Sequence, residues 1–180
     1  MNTMTIAMIV VGAIVVLGLI LWAVRRERRS HTLHDRFGPE YEHEVRERGN
    51  RSRAEAELDR RIRRVDRLSI RPLPESERSR FATLWNQQQA RFVDDPRGAV
   101  GEADHLVEEV MMRRGYPVAG DFDQKAADVS VDHPQVVENY RTAHRIAQRV
   151  ETGDAGTEDL RRAMIHYRAL FDELLHDRVA

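Results

Sequence analysis

DPRGAVGEADHLVEEVMMRRG, residues 95–115, carries both of its own boundaries. Asp95 is a residue type that caps the free N–H groups of a helix start, and Pro96 stands at the first helical position, where a missing N–H loses nothing. Val100, Ala103, Leu106, Val107, Val110 and Met111 then recur at three- and four-residue spacing, so they share one face. Arg113 and Arg114 complement the carbonyl end, and Gly115 supplies the stop. A helix with one apolar face needs others to cover it, and the flanking sequence provides them.

On the N-terminal side, residues 74–92 place Phe81, Leu84, Trp85, Gln88 and Phe92 on one face. On the C-terminal side, residues 115–131 are the least regular part. Tyr116-Pro117 and Gly120-Asp121 are turn chemistry, with room for one short helix near residues 122–129. A third long helix, from Pro134 to about Glu151, uses Val136, Val137, Tyr140, Ala143, Ala147 and Val150 and stops at Gly153. A fourth opens at Thr157 with Glu158 and Asp159 in its first turn, and buries Leu160, Ala163, Met164, Tyr167, Leu170, Phe171 and Leu174. No segment alternates with period two. The expected fold class is all-α, with a distal four-helix bundle-like domain over residues 72–180.

The proline-stiffened joint Ile70-Arg71-Pro72-Leu73-Pro74 marks the boundary of that domain. Before it, residues 25–71 form a basic arm with 15 basic against 10 acidic residues. Gly38-Pro39 and Gly49-Asn50 interrupt any long helix, so residues 25–50 read as a tether with short ordered pieces. Residues 51–68 read as a helix with a thin stripe of Ala54, Leu58, Ile62, Val65 and Leu68, and with Glu57/Arg61 and Asp59/Arg63 as i,i+4 pairs. Three roles are open to the arm. Its stripe docks on the distal domain or on a second copy; its arginines meet anionic lipid headgroups; or it binds nucleic acid, which the interspersed acids and the lack of stacking aromatics disfavour.

Residues 1–24 are the third object. From Ile6 to Val24 the chain is uncharged and mostly apolar (IAMIVVGAIVVLGLILWAV). As a helix it rises about 28 Å, close to the ~30 Å of a bilayer's hydrocarbon core. A cleaved signal peptide would need a basic start and a small-x-small site before Arg25, and neither is present. Arg25, Arg26, Arg28 and Arg29 on one flank predict an outside N-terminus and a cytoplasmic distal domain. Trp22 suits the interface. Gly12 and Gly18 are six apart, too far in phase for a GxxxG seam. Lys125 is the sole lysine among 29 basic residues, a usage that reads as a GC-rich genome and, with this topology, as a bacterial inner membrane.

The composition excludes whole chemistries. Without Cys there is no disulfide scaffold, thiolate metal site or thiol nucleophile. Gly-rich phosphate loops, HExxH and GxSxG are absent. Residues 121–132 start like a calcium loop, but Lys125 and Ala126 stand where a ligand and the turn glycine belong. Three Glu-x-x-His spacings occur, at Glu40/His43, Glu102/His105 and Glu173/His176. On their helices the last two pairs lie about 100–180° from the apolar centre, facing away from any core metal. No catalytic, cofactor or metal site is expected. His144, about 40° from the apolar centre of its helix, is expected to face inward with Tyr140, and Gln88 and Tyr167 do likewise. Such a set is either a buried polar cluster that fixes helix register or a ligand or proton-transfer site.

RFGPEY (36–41), ARFVDDP (90–96), EADHLVEEVMMRRGYPV (102–118), SVDHPQVVENYR (130–141) and HYRALFDELL (166–175) resemble a family of bacterial single-span membrane proteins with a helical C-terminal domain. The resemblance implies the same three-part architecture and no established activity, and it assigns no functional residue. The expected function is a membrane-tethered, non-enzymatic interaction or scaffold protein with an unidentified protein partner, docking through residues 115–131. The alternatives are a small ligand-binding or enzymatic domain built on His144, Tyr140 and Tyr167, and a homo-oligomer formed through the 51–68 helix.

Overall fold

The computed structural model describes residues 3–176, with the side chains of residues 3–11, 13–15, 26 and 151 left out. Among the described residues the chain is all-helical: α1 (Thr3–Phe37), α2 (Pro39–Arg48), α3 (Arg51–Val65), α4 (Glu75–Arg91), α5 (Pro96–Arg114), α6 (Phe122–Asp132), α7 (Val137–Glu151) and α8 (Thr157–His176). Among those residues no helix is long and apolar enough to cross a membrane. Residues 6–11 and 13–15 of the Ile6–Val24 stretch lie outside the described side chains.

The Asp95 cap read from sequence operates as chemistry requires, and Asp121 and Asn50, read only as turn and breaker residues, cap helices too. Asp95 accepts from Gly98 N at 2.9 Å, Asp121 from Gln124 N at 2.8 Å and Asn50 from Arg53 N at 3.1 Å. Helices α4, α5, α7 and α8 enclose one core, where Phe81, Val107, Tyr140, Tyr167 and Leu170 are fully buried. Trp85 and Phe171 stack there with ring centroids 4.5 Å apart. A fifth helix, α6, replaces the irregular segment: it gives Ala126 and Val129 to this core and Val131 to a second one. Residues 126–131 are therefore largely buried, and only the first part of the expected 115–131 docking surface faces outward.

That second core corrects the tether reading. α1 does not end at the arginines but runs on to Phe37, because nothing between Arg25 and Phe37 breaks a helix, and the first interruption is Gly38-Pro39. Leu33 and Phe37 of α1, Tyr41 of α2, Leu58 and Val65 of α3 and Val131 of α6 pack together. The α3 stripe is thus docked on α6 of the distal domain, one of the roles expected of the arm, and α3 stops at Val65, three residues early.

Charge completes the joint. Arg61, buried on the α3 stripe, donates through Nη1 to Glu40 Oε1 at 2.7 Å and to Ser130 Oγ at 3.3 Å, and through Nη2 to Glu44. Arg141 of α7 grips the same Glu40 with both terminal nitrogens, at 2.6 and 2.7 Å. Arg64 reaches Asp128 of α6 at 2.9 Å. At the far end of the joint Gly115 has φ 102°, and a Cβ there would sit 2.5 Å from the Ser69 carbonyl oxygen, so only glycine lets α5 close on the 69–74 segment. Arg71 N then donates to Arg114 O at 2.9 Å.

Burial alone would raise the Glu40 carboxyl, but Arg141 and Arg61 outweigh it and hold it below its ordinary value of 4.5. A carboxylate lowered in the folded state stabilises the fold above its ordinary value, and that contribution is lost as pH falls through the folded value. Arg61→Ala removes one of two arginine partners from each of two buried carboxylates, Glu40 keeping Arg141 and Glu44 keeping Arg48, and is expected to cost about 1.5–3 kcal/mol near neutral pH. The deficit should shrink in acid. Guanidinium unfolding at a series of pH values checks both statements.

Candidate functional site

Three elements converge on a groove of about 480 Å³ between α2, the start of α6 and α7. The Asp121 cap fixes where α6 begins, so Phe122 is its first residue and faces α7. There its ring stacks on His144 with centroids 3.7 Å apart and planes 1° from parallel. One turn along α7, His144 Nε2 and the Gln148 amide are 3.2 Å apart. Glu47, Glu138, Arg141 and Arg145 supply the charged rim.

Behind Phe122 lies a buried polar cluster. Tyr140 packs on the Phe122 ring at 4.6 Å and, like Tyr167, is fully buried. Neither hydroxyl makes a hydrogen bond of normal geometry, and Oδ1 of half-buried Asp104 likewise lacks one. The three groups are nevertheless close enough to couple. Burial pushes the Asp104 carboxyl above its ordinary range and Glu108 adds to this, while the Tyr167 hydroxyl, His144 and Lys125 pull it back. Burial, then the Asp104 charge, pushes both tyrosines upward. Lys125 is itself engaged by Glu108. The cluster therefore raises the Asp104 carboxyl above its ordinary range and both tyrosine hydroxyls above theirs.

Tyr140 and Tyr167 thus meet, around an acid that sequence reasoning passed over. The signal was present: Asp104 lies four residues after Val100 and three before Val107, on the apolar face of α5. His144 stands in the groove wall, partly exposed, and neither tyrosine lines the groove. Gln88 is partly buried on α4, and no hydrogen bond or ring contact joins it to the tyrosines. Glu102, His105, Glu173 and His176 are exposed, and among the described residues no three His, Cys, Asp or Glu side chains gather as a metal site. Arg25, Arg28 and Arg29 are exposed, with Arg29 paired to Asp59. Val24 is exposed, while the side chains of Ile6 and Arg26 lie outside the described residues.

An acid raised in the folded state contributes fully below its ordinary value and loses that contribution as pH rises through the folded value. Asp104→Asn keeps the shape and removes the charge. Its melting temperature should exceed the parent's at neutral pH, and the gap should close below pH 3.8, the ordinary Asp value. Thermal melts across that range check the sign. Compared with protein-family models, with curated proteins and with solved structures, the chain matches none, so its function is argued from these residues.

Proposed function

We propose that this chain is a membrane-tethered helical interaction module without catalytic activity. Ile6–Val24 crosses a bacterial inner membrane once, with the N-terminus outside, and the helical domain meets a protein partner in the cytoplasm. The observation that carries this is the exposed face of α1. Val16, Leu17, Leu19, Ile20, Leu21, Trp22 and Val24 are 44–60% exposed and at 100° per residue cover the whole circumference. Among the described residues these side chains stay exposed. A helix apolar all round is at home only in apolar surroundings.

The backbone of α1 continues from this stretch into the second core, where Phe37 is fully buried and Leu33 nearly so. The domain is then held at a fixed height rather than on a slack linker, and confinement near a surface lets weak contacts suffice. The distal residues 72–180, with 14 basic against 20 acidic, suit a basic partner surface. Arg25, Arg28 and Arg29 suit anionic headgroups.

With no native Cys, a single Ala180→Cys variant reports topology through a membrane-impermeant thiol reagent. Protection in intact cells until lysis is expected. Labelling before lysis reverses the orientation, and recovery of the chain in the soluble fraction after a carbonate wash rejects the anchor. Crosslinking from membranes, against a control carrying residues 1–24 alone, tests the partner.

A further inference from the structure

A second groove, about 420 Å³, lies where α1 leaves its exposed apolar stretch and passes the N-terminus of α3. Trp22, Arg25, Arg29 and Ser52 line it, with Ala56 and Glu55 at the back. We propose that this groove is a specific site for the phosphate of an anionic glycerophospholipid, held between Arg25, Arg29 and the first turn of α3. The proposal rests on the membrane reading above.

Height, charge and donors agree. If Val24 ends the apolar span, Arg25 to Arg29 rise about 6 Å beyond it, the depth of one headgroup layer, given a bilayer of about 40–45 Å around a hydrocarbon core of about 30 Å. Trp22 sits just below, where an indole suits the glycerol level. Arg25 has no acidic partner among the described residues, and the Arg29 side chain is 59% exposed although it pairs with Asp59. The start of α3 faces the same opening. Asn50 occupies only Arg53 N, so the first-turn N–H groups of residues 51 and 52 make no backbone bond and, with the Ser52 hydroxyl, form an anion-binding end of a 15-residue helix.

Glu55 is the one acid lining the groove, and it is already satisfied internally. Its Oε1 accepts from Ser30 at 2.6 Å, from the Tyr41 hydroxyl at 2.9 Å and from Arg51 Nε at 3.2 Å. These donors turn its charge inward and leave Arg25 and Arg29 to set the field at the mouth.

The full chain, reconstituted in phosphatidylcholine vesicles, contains its own reporter: Trp22 is 60% exposed, whereas Trp85 is buried in the bundle and supplies a background that Trp85→Phe removes. Fluorescence quenching by brominated phosphatidylglycerol against brominated phosphatidylcholine gives the relative affinity of lipid at Trp22. A preference of about fivefold or more for the anionic lipid is expected. Arg25→Gln should abolish most of it, while Arg46→Gln, at an exposed arginine of α2 outside the groove, should leave it. Equal quenching by the two lipids, or equal losses in both variants, overturns the site while leaving the membrane reading intact, because both lipids still reach Trp22. Loss of the preference in excess inorganic phosphate overturns the lipid assignment in favour of a soluble anion. Absence of quenching by either lipid overturns the membrane reading itself.

Discussion

Arg61 holds the two halves of this chain together. Its guanidinium is buried, and it survives burial only because Glu40, Glu44 and Ser130 surround it with acceptors. Glu40 in turn is shared with Arg141, so one carboxylate joins α2, α3 and α7. Apolar packing alone would leave the second core as a handful of side chains from four helices. The ion network fixes which face of α3 meets α6 and at what register, since charge-assisted bonds are directional where dispersion is not.

The consequence reaches α1. A helix leaving an apolar stretch usually becomes a flexible stalk, but here its last turns are locked by Leu33 and Phe37, by Ser30 on Glu55 and by Arg29 on Asp59. α1 is thereby tied to α3, and α3 through Arg64 and Asp128 to α6. α6 is the hinge of the architecture: one side closes the bundle core, the other carries Val131 into the second core, and its first residue, Phe122, walls the groove.

Much of this was legible locally. Asp95, Pro96, Asn50, Asp121, Gly49 and Gly115 announce helix ends through side-chain oxygens, a fixed φ or a left-handed backbone, all properties of single residues. The apolar faces of α5 and α8 follow from spacing. What failed was partnership. Periodicity says that Leu58 and Val65 share a face but not that α6 covers it, and nothing in spacing links Glu40 to Arg141, which are 101 residues apart. In the 51–68 helix, charge density was taken as solvation. Arg61 follows Leu58 by three and precedes Val65 by four, which puts it on the stripe, where a charge must be buried and paired.

Arg61 and Asp104 are both charged groups on apolar faces, and the contrast between them separates support from function. Around Arg61 both terminal nitrogens donate to acceptors, and only Nε is left facing Glu57 at 3.5 Å. Around Asp104 the pairing is poorer: neither tyrosine hydroxyl, nor Asp104 Oδ1, makes a hydrogen bond of normal geometry. Leaving such groups buried costs stability that an apolar core would retain. Natural chains keep local violations of this kind mainly where function needs them. The mismatch lies behind a single aromatic ring, Phe122, whose other neighbour is His144 in the wall of the main groove.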